Sequence, residues 1–204
     1  MPFLTKLKLS PITNLADARF AAAAGIEYMG FCFDPSSKDF LLPIKAKEIL
    51  EWTSGSFAVG EFGDQDIAEI SELSELLGLD VVLLNNSILP DELPQIGKPI
   101  IKAISLDQMG AVELANELCA YAPYADAFQL NGTMPFEDRM DELTEACLQY
   151  KIMLNLPYQA NNITQLLHAL KPYALNLPAG EEEKTGMKEF DDLNALLDIL
   201  SVQA

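Results

Sequence analysis

Short apolar runs alternate with segments of helical periodicity from one end of the chain to the other. Eight runs read as strands: Lys6–Ser10, Tyr28–Phe33, Phe57–Phe62, Leu79–Leu84, Ile100–Ser105, Ala127–Asn131, Ile152–Leu156 and Ala174–Leu177. Most are continuously apolar, the pattern of parallel strands covered on both faces rather than of a half-exposed sheet. Between them, Ile67, Ile70, Leu73 and Leu77 recur at helical spacing, as do Leu143, Cys147 and Tyr150. A last helix is expected to place Met187, Phe190, Leu193, Leu197 and Leu200 on one face. Asn14 is a cap for a first helix with Asp17 in its opening turn, and Pro172 stops the helix containing Leu166–Leu170.

Eight such units in 204 residues, with no low-complexity linker and no break in composition, predict one domain over residues 1–204. The expected fold is α/β, a single (βα)8 TIM barrel with a closed, parallel eight-stranded sheet. A doubly wound open sheet is the competing architecture. In a barrel of this type the chemistry sits at the strand C-termini. Those ends are Ser10–Thr13, Phe33–Asp39, Phe62–Gln65, Leu84–Asn86, Ser105–Asp107, Asn131–Thr133, Asn155–Tyr158 and Leu177–Lys184.

Charge narrows the partners. Thirteen basic against 31 acidic residues give −18, which argues against nucleic acid or an anionic membrane surface as partner. No apolar run approaches the ~18 residues of a membrane span, and the N-terminus lacks the pattern of a secretory signal. Cys32, Cys119 and Cys147 have no metal-ligand spacing and suit a reducing cytoplasm. No cofactor or metal is implied. His168, the only histidine, falls on the helix after the seventh strand, away from the strand ends.

The strand ends carry a resemblance. Lys8-Leu9-Ser10-Pro11-Ile12-Thr13-Asn14 with Asp17-Ala18-Arg19 resembles the opening K-[IV]-C-G-[IL]-T-[NR]-x-x-D-A of phosphoribosylanthranilate isomerases. Gly30-Phe31-Cys32-Phe33-Asp34-Pro35-Ser36-Ser37 resembles that family's G-F-x-F-x-x-x-S, and Val59-Gly60-Glu61-Phe62 resembles V-G-V-F. Leu79-Asp80-Val81-Val82, Lys102-Ala103-Ile104, Ala125-Asp126-Ala127-Phe128 and Thr185-Gly186-Met187-Lys188 follow in family order. The resemblance implies a (βα)8 barrel and an Amadori rearrangement in tryptophan synthesis. In that reaction an aspartate acts as acid and the cysteine of K-x-C-G as base. An arginine and glycine-rich loops hold the substrate's carboxylate and phosphate.

This chain departs from the family at those positions. Ser10 replaces the base, and a serine hydroxyl is a far weaker acid than a thiol, which titrates near ~8.5. Pro11 replaces the following glycine. Asn131 replaces the acid, and an amide delivers no proton. Asp39 stands at the substrate arginine, and Leu83-Leu84-Asn85-Asn86 replaces Q-L-H-G. Asn155-Leu156-Pro157-Tyr158 replaces A-G-G-L, and Pro178-Ala179-Gly180 with Glu181-Glu182-Glu183 replaces the S-S-G segment. Any short helix beginning after Gly180 would turn its positive end toward carboxylates.

The candidate catalytic positions are therefore Ser10 and Asn131, and the candidate ligand-binding residues are Asp39, Asn85, Asn155 and Gly180. Three functions are compatible with them. One is a silent barrel that binds a small-molecule ligand or a protein partner at its C-terminal face, for instance another enzyme of tryptophan metabolism. Another is a working isomerase with an unorthodox Ser10/Asn131 site. The third is a different small-molecule enzyme using Asp34, Asp39, Asn85 and Asn155. A monomer and a homodimer are both compatible.

Overall fold

The computed structural model describes residues 3–85, 87–107, 109–157, 159–179, 182–184, 187–188 and 191–201. Eight strands form a closed parallel barrel: β1 (Lys6–Ser10), β2 (Tyr28–Cys32), β3 (Phe57–Phe62), β4 (Val81–Leu84), β5 (Ile100–Ser105), β6 (Ala127–Asn131), β7 (Ile152–Asn155) and β8 (Ala174–Pro178). β1 closes the ring on β8 with Lys6 opposite Ala174 and Ser10 opposite Pro178. All eight expected strands are present, with ends moved by at most two residues.

The outer layer contains α1 (Leu15–Ala24), α2 (Pro43–Leu50), α3 (Ile67–Leu77), α4 (Ala111–Tyr121), α5 (Met140–Gln149), α6 (Ile163–Leu170) and α7 (Asp191–Leu200). Local chemistry sets their ends. The Asn14 side chain accepts from the Asp17 amide to start α1, and Asp66 does the same for Glu69 in α3. Gly25 and Gly78 then stop these helices at φ 78° and 64°, a left-handed geometry that costs glycine little.

Three segments differ from expectation. The fourth unit has a 3-10 helix over Pro90–Ile96, with Pro94 inside it unable to donate to a helical ladder. Met187 is not on the last helix. Met187–Lys188 (β10) pairs antiparallel with Glu182–Lys184 (β9), and α7 starts only at Asp191. The segment after β8 that was expected as a loop or short helix is thus partly strand. Phe190 and Gly180, both sequence candidates, lie outside the described residues.

Side-chain alternation builds two cores. Leu7, Phe31, Leu84, Leu154 and Leu175 point outward and pack beneath the helices. Tyr28, Val59, Leu83, Ile101 and Met153 fill the lower barrel interior. At the bottom, Lys6 Nζ donates to the Tyr173 hydroxyl at 2.9 Å, which in turn lies 3.1 Å from that of Tyr28. Above this plug most inward positions on β1, β3, β6, β7 and β8 are polar, toward the C-terminal face of the barrel.

Candidate active-site cleft

Five of the eight strands carry polar inward residues toward their C-terminal ends. On β1 these are Lys8 and Ser10, on β3 Glu61, on β6 Gln129 and Asn131, on β7 Asn155 and on β8 Asn176, and all but Lys8 line one cleft. Charged and amide groups in such a place must find partners inside the barrel. They do so around Lys8, which is only 1% exposed.

The ammonium of Lys8 donates to Glu61 Oε1 at 2.5 Å, to Gln129 Oε1 at 3.0 Å and to Asn176 Oδ1 at 3.1 Å. Three donors meet three acceptors, so the lysine is satisfied. Ser10 Oγ donates to the same Glu61 oxygen at 2.6 Å. The amides continue the network. Gln129 Nε2 donates to Asn131 Oδ1 at 2.9 Å, Asn155 Nδ2 to the same oxygen at 2.8 Å, and Asn176 Nδ2 to Asn155 Oδ1 at 3.1 Å.

Gly30 makes this possible. It sits on β2 between Ser10 on β1 and Glu61 on β3. A Cβ there would lie 2.2 Å from Glu61 Oε1 and 2.7 Å from Ser10 Cβ. The glycine lets the carboxylate cross β2 to reach both Ser10 and Lys8.

Above the network lies a cleft of about 290 Å³, at the lower end of the ~300–1,000 Å³ usual for small-molecule sites. Ser10, Asn131, Asp39, Asn85 and Asn155 all line it. Sequence reasoning thus places five of its six candidates at one opening. Asp34 lines the cleft too, with its Oδ1 taken up by the Ser36 amide and hydroxyl at 2.8 and 2.7 Å. No lysine or arginine among the described residues lines it, and no three acidic, histidine or cysteine side chains among them gather as a metal ion would need. His168 is exposed on α6, remote from this face.

Cys32 also reaches the cleft wall from β2, as a buried thiol. Burial pushes its pKa up, against hydrogen bonds with the Ser37 side chain and the Asp34 backbone that favour the thiolate. Burial pushes Cys147 up to about 12, whereas Cys119 is exposed on α4. Thiolate is the reactive form, so at neutral pH Cys119 should be alkylated promptly and the other two slowly. Counting labelled thiols by mass during iodoacetamide treatment checks this. Prompt modification of Cys32 would contradict the wall described.

A cleft with this strand order and these positions has known counterparts. A family model described as N-(5'phosphoribosyl)anthranilate (PRA) isomerase matches residues 7–198. The chain belongs to the phosphoribosylanthranilate isomerase family. The N-(5'-phosphoribosyl)anthranilate isomerase of Pelobacter propionicus is 26% identical over 189 residues, covering 91% of this chain and 90% of its own. That of Chlorobium luteolum is 27% identical, with 95% and 96% covered. Among solved structures, the phosphoribosyl anthranilate isomerase of Thermus thermophilus superposes with a TM-score of 0.80 at 30% identity, covering 96% of this chain and 98% of that one.

Within the family frame, Glu61, Lys8, Gln129 and Asn176 are the site residues that motif reading missed. Glu61 had been read only as one position of V-G-V-F, and Lys8 as one of K-[IV]-C-G. The missed signal was polarity in a buried strand. A polar residue at an inward-facing position of a parallel barrel strand is a candidate for the lumen or its mouth, whereas Lys102, at an outward position of β5, lies over the Tyr121 ring of α4 instead.

Proposed function

We propose that this protein is a phosphoribosylanthranilate isomerase-family barrel that no longer performs the family isomerisation. It serves instead as a binding or interaction barrel, related by descent to tryptophan biosynthesis. The observation that carries this reading is the state of the two chemistry positions. Ser10 spends its proton on Glu61, and the Asn131 carbonyl accepts from both Gln129 and Asn155. Neither side chain is an acid or base tuned for proton transfer, and a positioned acid or base contributes about 10²–10⁴ in rate.

Substrate recognition points the same way. The family substrate carries a carboxylate and a phosphate. Here Asp34, Asp39 and Glu61 line the cleft, and no lysine or arginine among the described residues lines it. Anionic groups entering it meet like charge in a partly desolvated space.

One observation favours an active isomerase instead. Glu61 places a carboxylate 2.6 Å from Ser10 Oγ, beside the family base position. A base alone does not open the aminoaldose ring, and Asn131 supplies no proton in return.

The same reading takes residues 1–204 as one domain in a reducing cytoplasm. Three free cysteines support this, and among the described residues no helix is long and apolar enough to cross a membrane. A growth test separates the two readings. A bacterial strain lacking its own phosphoribosylanthranilate isomerase and expressing this chain should stay auxotrophic for tryptophan. Growth without tryptophan, dependent on Glu61, would establish the second reading.

A further inference from the structure

The orientation of every amide in the network follows from Lys8. An ammonium only donates, so Gln129 Oε1 and Asn176 Oδ1 must face it as acceptors. Their NH2 groups then point onward, Gln129 to Asn131 Oδ1 and Asn176 to Asn155 Oδ1. Asn155, its carbonyl used, donates to Asn131 Oδ1. Each link is forced by the one before it, and the chain ends at Asn131.

Two atoms of this network are left over at the cleft. Asn131 Oδ1 is doubly occupied, so its Nδ2 is a donor without a partner among the described residues. Glu61 Oε1 takes both Lys8 and Ser10, so Oε2 is an acceptor in the same position. Neither atom is among the buried polar atoms lacking a hydrogen bond, and both residues line the cleft. Their strands, β3 and β6, stand apart around the ring. The cleft therefore presents a fixed acceptor on one side and a fixed donor on the other.

We propose that Glu61 and Asn131 form a reading pair for an uncharged polyhydroxylated ligand, a free sugar or polyol. A ligand hydroxyl donates to Glu61 Oε2, and a ligand oxygen accepts from Asn131 Nδ2. An ammonium group would satisfy Glu61 but oppose the Asn131 donor. A phosphate or carboxylate would satisfy Asn131 but meet Glu61, Asp34 and Asp39. Hydroxyl groups both give and take, and they answer both ends without bringing charge into the cleft. Lys8 acts as a positioning residue, since it sets the direction of the whole amide chain without reaching the cleft. The inference rests on reading the cleft as a binding site rather than an isomerase centre.

Saturation-transfer NMR on the full chain tests it, with ribitol, D-ribose and D-ribose 5-phosphate as probes. Ribitol and ribose should give signals and the phosphate should not. Glu61→Gln, which replaces the free oxygen with an NH2 or removes its charge, should weaken sugar binding about tenfold or more, as should Asn131→Asp, which removes the donor. Circular dichroism confirms that each variant is folded, and if Glu61→Gln is not, Asn131→Asp decides. Absence of signal for both neutral probes, equal or stronger binding of ribose 5-phosphate, or full binding by the folded variants would overturn the proposal. Turnover of phosphoribosylanthranilate by the native chain is a separate result, which would remove the underlying reading instead.

Discussion

Replacing Lys8 with methionine should lower the stability of the barrel by about 3–5 kcal/mol, the cost of leaving a largely buried partner charge alone. Glu61, with its side chain 14% exposed, would lose its ion pair, and the carbonyls of Gln129 and Asn176 would lose their shared donor. For a chain of this size that corresponds to a loss of roughly 6–20 °C in Tm. Adding Glu61→Val should recover part of the loss by removing the stranded carboxylate. Thermal melts of the three proteins check this. A Lys8→Met protein as stable as the native one would mean that the lysine does not hold the network together.

The second large effect is expected at Gly30. Gly30→Ala puts a methyl group where the Glu61 carboxylate and the Ser10 side chain now lie. The carboxylate end could swing away, but it is held by Lys8 and Ser10, and Ser10 Cβ is fixed by the backbone of β1. Overpacking together with a broken charge-assisted hydrogen bond should cost about 2–4 kcal/mol. Urea titration should show a lower midpoint with an unchanged slope. In a Glu61→Val background the same substitution should cost measurably less, because the two residues share one contact. Strict additivity would contradict the described packing.

Both predictions depend on residues that the linear sequence displays poorly. The barrel itself was legible because its signals are local. Continuous apolar strands, the Asn14 cap and the helical spacing of Ile67, Ile70, Leu73 and Leu77 each act within a few residues. The final helix was misread at Met187 because helical spacing of apolar residues does not exclude a short antiparallel pair. The cleft was half legible. Ser10, Asn131, Asp39, Asn85 and Asn155 were found because motifs mark positions. Their partners were not, because Lys8 meets Gln129 and Asn176 across 121 and 168 residues of chain, and only barrel closure brings them together.

The network also links the positions at which the resemblance implies departures from the family. A serine at position 10 and a glutamate at 61 are joined by one hydrogen bond, and Gly30 leaves room for it. Asn131 in place of an acid lets Gln129 and Asn155 donate to a neutral carbonyl while its NH2 remains outward. A carboxylate there would have accepted the same two bonds but offered no donor. These residues fit one another as a set, as the proposed binding role requires.

On the proposed function, this cleft does not isomerise phosphoribosylanthranilate. Steady-state loss of substrate fluorescence with the purified native chain tests it most directly, with the folded state verified by circular dichroism. The rate should be indistinguishable from the buffer blank. Turnover above the blank that disappears in Glu61→Gln would contradict it and make Glu61 the base of a working isomerase.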